Sequence, residues 1–436
     1  MRFTLLFVFA VTRVIAQDST AVKTPFSHGD FSWLNGNNRQ TQQSPIANKY
    51  FNPSIIADFY YSYSFNNPED NTINSSSIVG RHNEMTLNMI SLGFEANYKN
   101  AYAKVFTQFG SILSVIQETD PTTNRGRNLR TNDLKYIREA YLGYHWDKWH
   151  GVNFDAGIYM SFIGLESYVS QENWSYQRSM VCDYTPFYFN GMRLQIHPNS
   201  KWKIEPWLMN GWYSYGKYNQ GFSGGLSVSY RHKENIATVA NFYYGTDTRP
   251  NPAIINPKDR IRFHHDNSVM IRYGNRPESK GISKAAFSLN SHYGFEEGGK
   301  NAQTGEALPD RKDAFFVGQS LANRVWFDRN HWAVTTRAGW LSNPTRYLPV
   351  SPSAIGFTDG GTDFKAWELT ATLDYMPSDY ITFRFEFLNR HSSVPYFAGR
   401  GGTTNPQLWE GSAPDNWQPD LRKLENRIIF AMNFRL

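Results

Sequence analysis

Cysteine is almost absent: the chain of 436 residues holds one, Cys182. That excludes an intrachain disulfide framework and any zinc site built on cysteines. Long apolar runs are missing too. Past the N-terminus no stretch holds the roughly 18 apolar residues that a helical span requires, so a helical membrane topology is excluded. Charge of one sign is also lacking. The 44 Lys and Arg stand against 38 Asp and Glu, a net +6, and the basic residues are scattered. This argues against nucleic acid as a partner. Aromatic residues are the opposite case, with 26 Tyr, 31 Phe and 13 Trp. Tyr and Trp gather at membrane–water interfaces because their rings are apolar with one polar atom.

The N-terminus reads as an export signal over residues 1–16. Met1 and Arg2 give a positive start, Phe3–Val11 the apolar stretch, and Val14-Ile15-Ala16 a small-residue cleavage site before Gln17. Residues 17–50 are rich in Ser, Asn and Gln with little periodicity, and read as a flexible tail or a small internal plug. Residues 51–436 carry a different pattern. In Lys365–Met376, Trp367, Leu369, Ala371, Leu373 and Tyr375 alternate with Glu368, Thr370, Thr372 and Asp374. Pro377, Ser378 and Asp379 suit a turn, and then Ile381, Phe383, Phe385 and Phe387 alternate with Thr382, Arg384, Glu386 and Leu388. Period two predicts an antiparallel hairpin with one apolar and one polar face. The pattern recurs from Ile55–Phe65, Thr86–Tyr98 and Ala101–Ser111 to Leu424–Leu436.

About 16 such strands are expected, within a range of 14–18. The connections between them alternate short and long. The long ones, such as 112–134, 161–186, 296–313, 342–364 and 391–423, are rich in Gly, Pro, Asn and Asp. A soluble sandwich has no reason to keep such parity. A barrel inserted from the periplasm predicts it, with short periplasmic turns and long extracellular loops. The expected fold is therefore an all-β, transmembrane, up-and-down antiparallel β-barrel in the outer membrane of a Gram-negative bacterium. Its aromatic face turns to lipid and its polar face to a wet lumen.

Several short blocks resemble the OmpL-like β-barrel porins of Bacteroidota. They are Gly157-Ile158-Tyr159-Met160-Ser161-Phe162-Ile163-Gly164-Leu165-Glu166, Asn173-Trp174-Ser175-Tyr176, Thr185-Pro186-Phe187-Tyr188, Gly191-Met192-Arg193-Leu194 and Asn210-Gly211-Trp212. The resemblance covers most of the chain past the leader. It implies an outer-membrane barrel acting as a porin, with no catalytic residues to carry over.

Three motifs suggest other chemistry, and each has a plainer reading that is preferred. Gly221-Phe222-Ser223-Gly224-Gly225 fits the pattern of a nucleophile elbow, yet a strand-like run rather than a helix follows it. His264-His265-Asp266 puts only His264 and Asp266 on one strand face, too few ligands for a metal. Asp359 and Asp363 flank a Gly-Gly turn and read as an ordinary Asp-rich loop rather than a calcium site. No enzyme, metal or cofactor is expected.

The inward-pointing charges carry more. Alternation places Asp58, Glu95, Lys104, Glu139, Asp155, Arg193, Lys203, Glu205, Arg272, Lys284, Arg337, Glu368, Arg384, Glu386 and Arg427 on the wet face as pore-lining residues. Basic side chains facing lipid would cost ~2–4 kcal/mol each at mid-membrane. Both signs are present, which favours hydrated polar solutes over apolar ones without a strong ion filter. Loop 161–186 is the segment expected to fold inward, and Glu166, Glu172, Trp174 and Arg178 are its expected constriction residues. The expected partners are membrane lipid and small hydrophilic solutes, with self-association left open. Passive diffusion is the expected activity. The alternative is a barrel without an open pore that works through its loops, as an adhesin or a partner of surface lipoproteins.

Overall fold

Between Lys365 and Ser378 every second side chain is buried, and the rest, including Trp367, Leu369 and Leu373, face outward. The partner strand Ile381–Ser392 repeats the pattern and pairs with it from Ala366↔Ser392 to Ser378↔Ile381. The alternation of the sequence is thus the alternation of the two faces. The computed structural model describes residues 44–116, 120, 134–217, 221–247, 254–255, 257–348, 363–405, 407–408 and 417–436. The expected leader, residues 17–43 and Asp359 lie outside them.

Sixteen antiparallel strands close one barrel. They are β1 (Phe51–Ser64), β2 (Glu84–Tyr98), β3 (Ala101–Thr107), β4 (Ile137–Trp146), β5 (Val152–Met160), β6 (Tyr188–Asn199), β7 (Trp202–Met209) and β8 (Ser223–Lys233). There follow β9 (Ile236–Gly245), β10 (Ile261–Asn275), β11 (Ile282–Glu297), β12 (Phe315–Phe327), β13 (Trp332–Ser342), β14 (Lys365–Ser378), β15 (Ile381–Ser392) and β16 (Leu424–Arg435). Every neighbour in the wall is also a neighbour in sequence, and β1 closes on β16 from Ile56↔Arg435 to Ser64↔Arg427. Closure removes both sheet edges, so every strand finds backbone partners on both sides. An even number of strands puts the ends of the wall on the side of the short turns. The turn between β2 and β3 is Lys99 and Asn100, with Lys99 at φ 53, and that between β14 and β15 is Asp379 and Tyr380.

The outer face carries aromatic rings at both rims. Trp332 stacks near Tyr375 at 4.5 Å beside the short turns, and Trp367 lies on His391 at 5.1 Å toward the long loops. Leu369, Leu373 and Val334 lie exposed between them. This is the girdled apolar band of a lipid-facing barrel.

Strand bounds differ from expectation mainly at one place. The third strand ends at Thr107 rather than running on to Ser111, because the chain turns into a short helix, α1 (Ile112–Ile116), whose apolar side chains are buried. The elbow-like Ser223 opens strand β8 and its hydroxyl lies 3.4 Å from an Asp247 carboxylate oxygen. A strand rather than a helix follows it, and Ser223 is buried in the wall rather than set on a loop tip. Gly157 has φ 147, and a Cβ there would lie 2.0 Å from the Ala140 carbonyl oxygen, so β4 and β5 meet closely only because it is glycine.

Candidate functional site

Barrels of this size leave a water-filled interior unless something occupies it. Here the segment 161–187, between β5 and β6, lies inside. It carries a second short helix, α2 (Met180–Asp183), and from Val169 to Cys182 nearly all of its residues are buried. A segment without strand partners must satisfy its backbone groups some other way once it leaves water. The inner wall of β12–β16 and β1 does this with charged side chains.

Carboxylates take the N–H groups. Glu386 accepts from Tyr176 N–H at 2.6 Å and Gln177 N–H at 3.0 Å, and Glu368 accepts from Met180 N–H at 2.9 Å. Asp58 accepts from the Ser170 and Tyr176 hydroxyls at 2.8 and 3.0 Å. Arginines take the carbonyls. Arg324 donates to Trp174 O at 2.9 Å, Arg337 to Gln177 O at 2.8 Å and Arg390 to Arg178 O at 2.8 Å. Arg384 donates to Ser170 O and Asn173 O, each at 3.1 Å. The wall charges are themselves paired: Arg324 and Arg384 share Asp374 at 2.7 and 2.6 Å, and Arg390 meets Glu368 at 3.0 Å. Buried charges held in this way fix geometry, and removing one partner leaves the other stranded.

Inside the loop, Glu166 receives Arg337 at 2.8 Å and Ser179 N–H at 2.6 Å. Asp183 receives Arg390 at 3.1 Å. Burial pushes the Asp183 carboxyl above the usual range, and Arg390 and Arg178 only partly offset it. Burial also raises the Cys182 thiol to about 12, and its Sγ donates to Asn290 Oδ1 at 3.3 Å. A second long connection, 65–83, packs on the first, with Ser77 N–H donating to Asp183 at 3.2 Å and Ser76 Oγ to the Gln177 side chain, and it is tied to its other neighbours as well. Asn74 Nδ2 donates to Tyr396 O at 2.5 Å, and Ser75 Oγ donates to Glu425 at 2.7 Å.

The inner contents are lopsided. Beside β2–β5 there remains a cavity of about 710 Å³, reaching the short-turn end at Asp379, Tyr380 and Leu436. Glu95, Lys104 and Glu139 of the expected lining line it, together with Glu166, Glu172 and Arg178 of the loop. Lys104 lies 3.3 Å from both Glu95 and Glu139. Ser44 and Pro45, near the end of the segment expected as tail or plug, border it too. The other inward residues stand elsewhere. Asp155, Arg193, Lys203 and Glu205 form a chain of ion pairs, with Arg193 stacked over Tyr159 and Trp207. Arg272 reaches Glu234 at the short-turn end, Lys284 lies over Trp326, and Arg427 donates to the Gln177 side chain at 3.1 Å.

Two expectations need correction. Trp174 is not at the cavity: it packs edge-on against Trp326 at 5.8 Å, with its carbonyl held by the wall. Asp58, Arg337, Glu368, Arg384 and Glu386 do point inward, but they address the docked loop rather than open water. Alternation gives the face of a side chain, not what lies opposite it. Of the metal-like triplet, His264 faces inward onto His292 at 3.0 Å, His265 stacks on Phe242, and Asp266 accepts from Gly164 N–H at 3.2 Å. Arg324 and Arg390 were not singled out from the sequence, although both keep the alternating phase of their strands. Arg138 was hidden for a different reason. It sits at a bulge where Phe106 pairs with Glu139 and Thr107 with Ile137, so Arg138 and Glu139 are both buried in succession.

Residues 51–412 match the protein family described as "Putative beta-barrel porin-2, OmpL-like". The chain belongs to this OmpL-like porin family. Solved outer-membrane barrels share the fold at low identity. OmpT of Vibrio cholerae aligns at TM-score 0.51 and 9% identity, over 90% of this chain and 99% of that one. OprB of Pseudomonas putida aligns at 0.53 and 9%, over 89% and 94%. The channel DcaP of Acinetobacter baumannii aligns at 0.51 and 11%, over 88% and 97%. No curated protein is significantly similar to the chain. The OmpL-like porin described here is thus a closed outer-membrane-type barrel.

Proposed function

We propose that this OmpL-like porin sits in the outer membrane of a Gram-negative bacterium, exported through residues 1–16, and lets small hydrophilic solutes diffuse passively. The observation that carries the reading is the uneven interior: the inward loop is fastened to the β12–β16 wall, which leaves a polar cavity of about 710 Å³ along β2–β5. Its lining of mixed charge suits hydrated solutes and repels apolar ones. Planar-bilayer recording of the purified barrel tests this. Steady ohmic current steps support a pore, and liposome swelling with sugars of increasing size sets its cut-off.

The extent of burial in the loop favours a second reading, in which the barrel stays shut and works through its long loops. Silence in the bilayer from correctly folded protein would select that alternative.

A further inference from the structure

Most buried arginines that touch the inward loop carry a carboxylate partner: Arg324 and Arg384 have Asp374, Arg337 has Glu166, and Arg390 has Glu368. Arg178, on the loop itself, does not. It is 1% exposed, and its Nη atoms donate to two neutral hydroxyls, Ser77 Oγ at 3.5 Å and Thr185 Oγ1. Its Nε has no hydrogen-bond partner, and among the described residues it forms no ion pair. Asp183 and Glu166 act on it electrostatically, but neither forms an ion pair with it, and a guanidinium this deep with an unpartnered N–H gains from an acceptor that touches it directly. Arg178 also borders the cavity, where Arg138 shows the same incompleteness: it is 3% exposed, its Nε is unpartnered, and Glu139 lies 3.6 Å away while also serving Lys104.

The carboxylates of the cavity are already engaged. Glu166 is held by Arg337 and Ser179 N–H, Glu95 and Glu139 by Lys104, and Glu172 lies 3.6 Å from Arg435. Apolar surface stands beside the two arginines. The Arg178 guanidinium lies over Phe187 at 5.3 Å and that of Arg138 over Phe106 at 4.6 Å.

We infer that Arg178 and Arg138 form an oxyanion subsite in this cavity, and that the porin favours small polar solutes bearing a carboxylate, of the kind found in a sugar acid. The guanidinium fork matches a planar carboxylate, and the phenyl rings offer a surface for the carbon skeleton. The inference names the solute class for the pore proposed above and so rests on that reading, but its test does not use conductance.

Folded barrel in detergent is titrated calorimetrically with glucuronate, glucose and inorganic phosphate. Saturable heat with glucuronate and none with glucose is expected. Arg178→Gln should weaken glucuronate at least tenfold. Because that change lies on the loop, Arg138→Gln on β4 is the second variant, and it too should weaken binding several-fold. Equal behaviour of glucuronate and glucose overturns the inference, as does unchanged binding in both variants. Phosphate binding without glucuronate binding overturns the carboxylate assignment. A barrel that conducts but binds no glucuronate refutes this inference alone, and one that binds but never conducts refutes the pore alone.

Discussion

Neutralising Glu386 should loosen the inward loop, and the size of the effect follows from its contacts. Its two oxygens accept from Tyr176 N–H at 2.6 Å and Gln177 N–H at 3.0 Å, and from Thr372 Oγ1 at 2.8 Å. Glutamine keeps one acceptor oxygen and sets an NH2 group against a backbone N–H. One bond to a charged acceptor is lost, at about 1.5–3 kcal/mol. The undocked fraction of the loop then rises by a factor of about 10–150. Adding Glu368→Gln removes the charged acceptor of Met180 N–H at 2.9 Å. The two losses should not simply add, since both carboxylates belong to one network with Arg337. Limited chymotrypsin digestion at Tyr176 reports the undocked fraction when cleavage is slower than reclosing. Cleavage should speed up by about one to two orders of magnitude in Glu386→Gln, and bilayer currents should become larger and noisier. If the double variant keeps an intact barrel yet is cleaved no faster than the parent, the claim that wall carboxylates hold this loop is wrong.

Tyr176→Phe removes the hydroxyl that donates to Asp58 at 3.0 Å and should cost about 1–3 kcal/mol of loop docking, seen as faster digestion with the barrel unchanged. His82 lies outside the strands, and its Nδ1 accepts from Ser64 N–H at 2.9 Å, which requires the unprotonated nitrogen. Burial lowers its pKa, so its contribution is present above the ordinary histidine range and is lost as pH falls through the lowered value. Exchange of the Ser64 amide should therefore quicken on acidification in the parent and lose that dependence in His82→Gln. On the outer face, Leu369→Arg should destabilise the barrel in lipid vesicles by about 2–4 kcal/mol in urea unfolding, whereas Met85→Arg at a strand end should cost about 0–1 kcal/mol. Gly157→Ala drives a Cβ to 2.0 Å from the Ala140 carbonyl oxygen, so the yield of folded barrel should drop sharply in refolding assays.

Much of the barrel is legible in the sequence because a strand writes its two faces into every second residue. Trp367, Leu369, Leu373, Phe383, Phe385 and Phe387 were readable as the outer face, and Glu368, Arg384 and Glu386 as the inner. The parity of short and long connections pointed to the up-and-down order, and the alternating runs to about 16 strands within 14–18, where the closed barrel has sixteen. Two kinds of feature escaped. Arg138 is the extra residue of a bulge, which breaks the period that makes a strand readable. The third strand stops at Thr107 because the following residues find apolar contacts as a helix, a tertiary outcome that period-two reading extends through.

The sequence by itself determined the character of the wall: which residues meet lipid, which face inward, and that about 16 strands, within 14–18, make it up, the closed ring having sixteen. The tertiary structure decided what the inward residues face. Asp58 and Glu386 are far apart in the chain, yet both hold the hydroxyl or amide of Tyr176. The physical reason is one of range. Face is a local property, fixed by backbone geometry one residue at a time. What stands opposite a charge inside the barrel depends on where a long connection folds back, and that depends on backbone groups finding partners across the whole lumen.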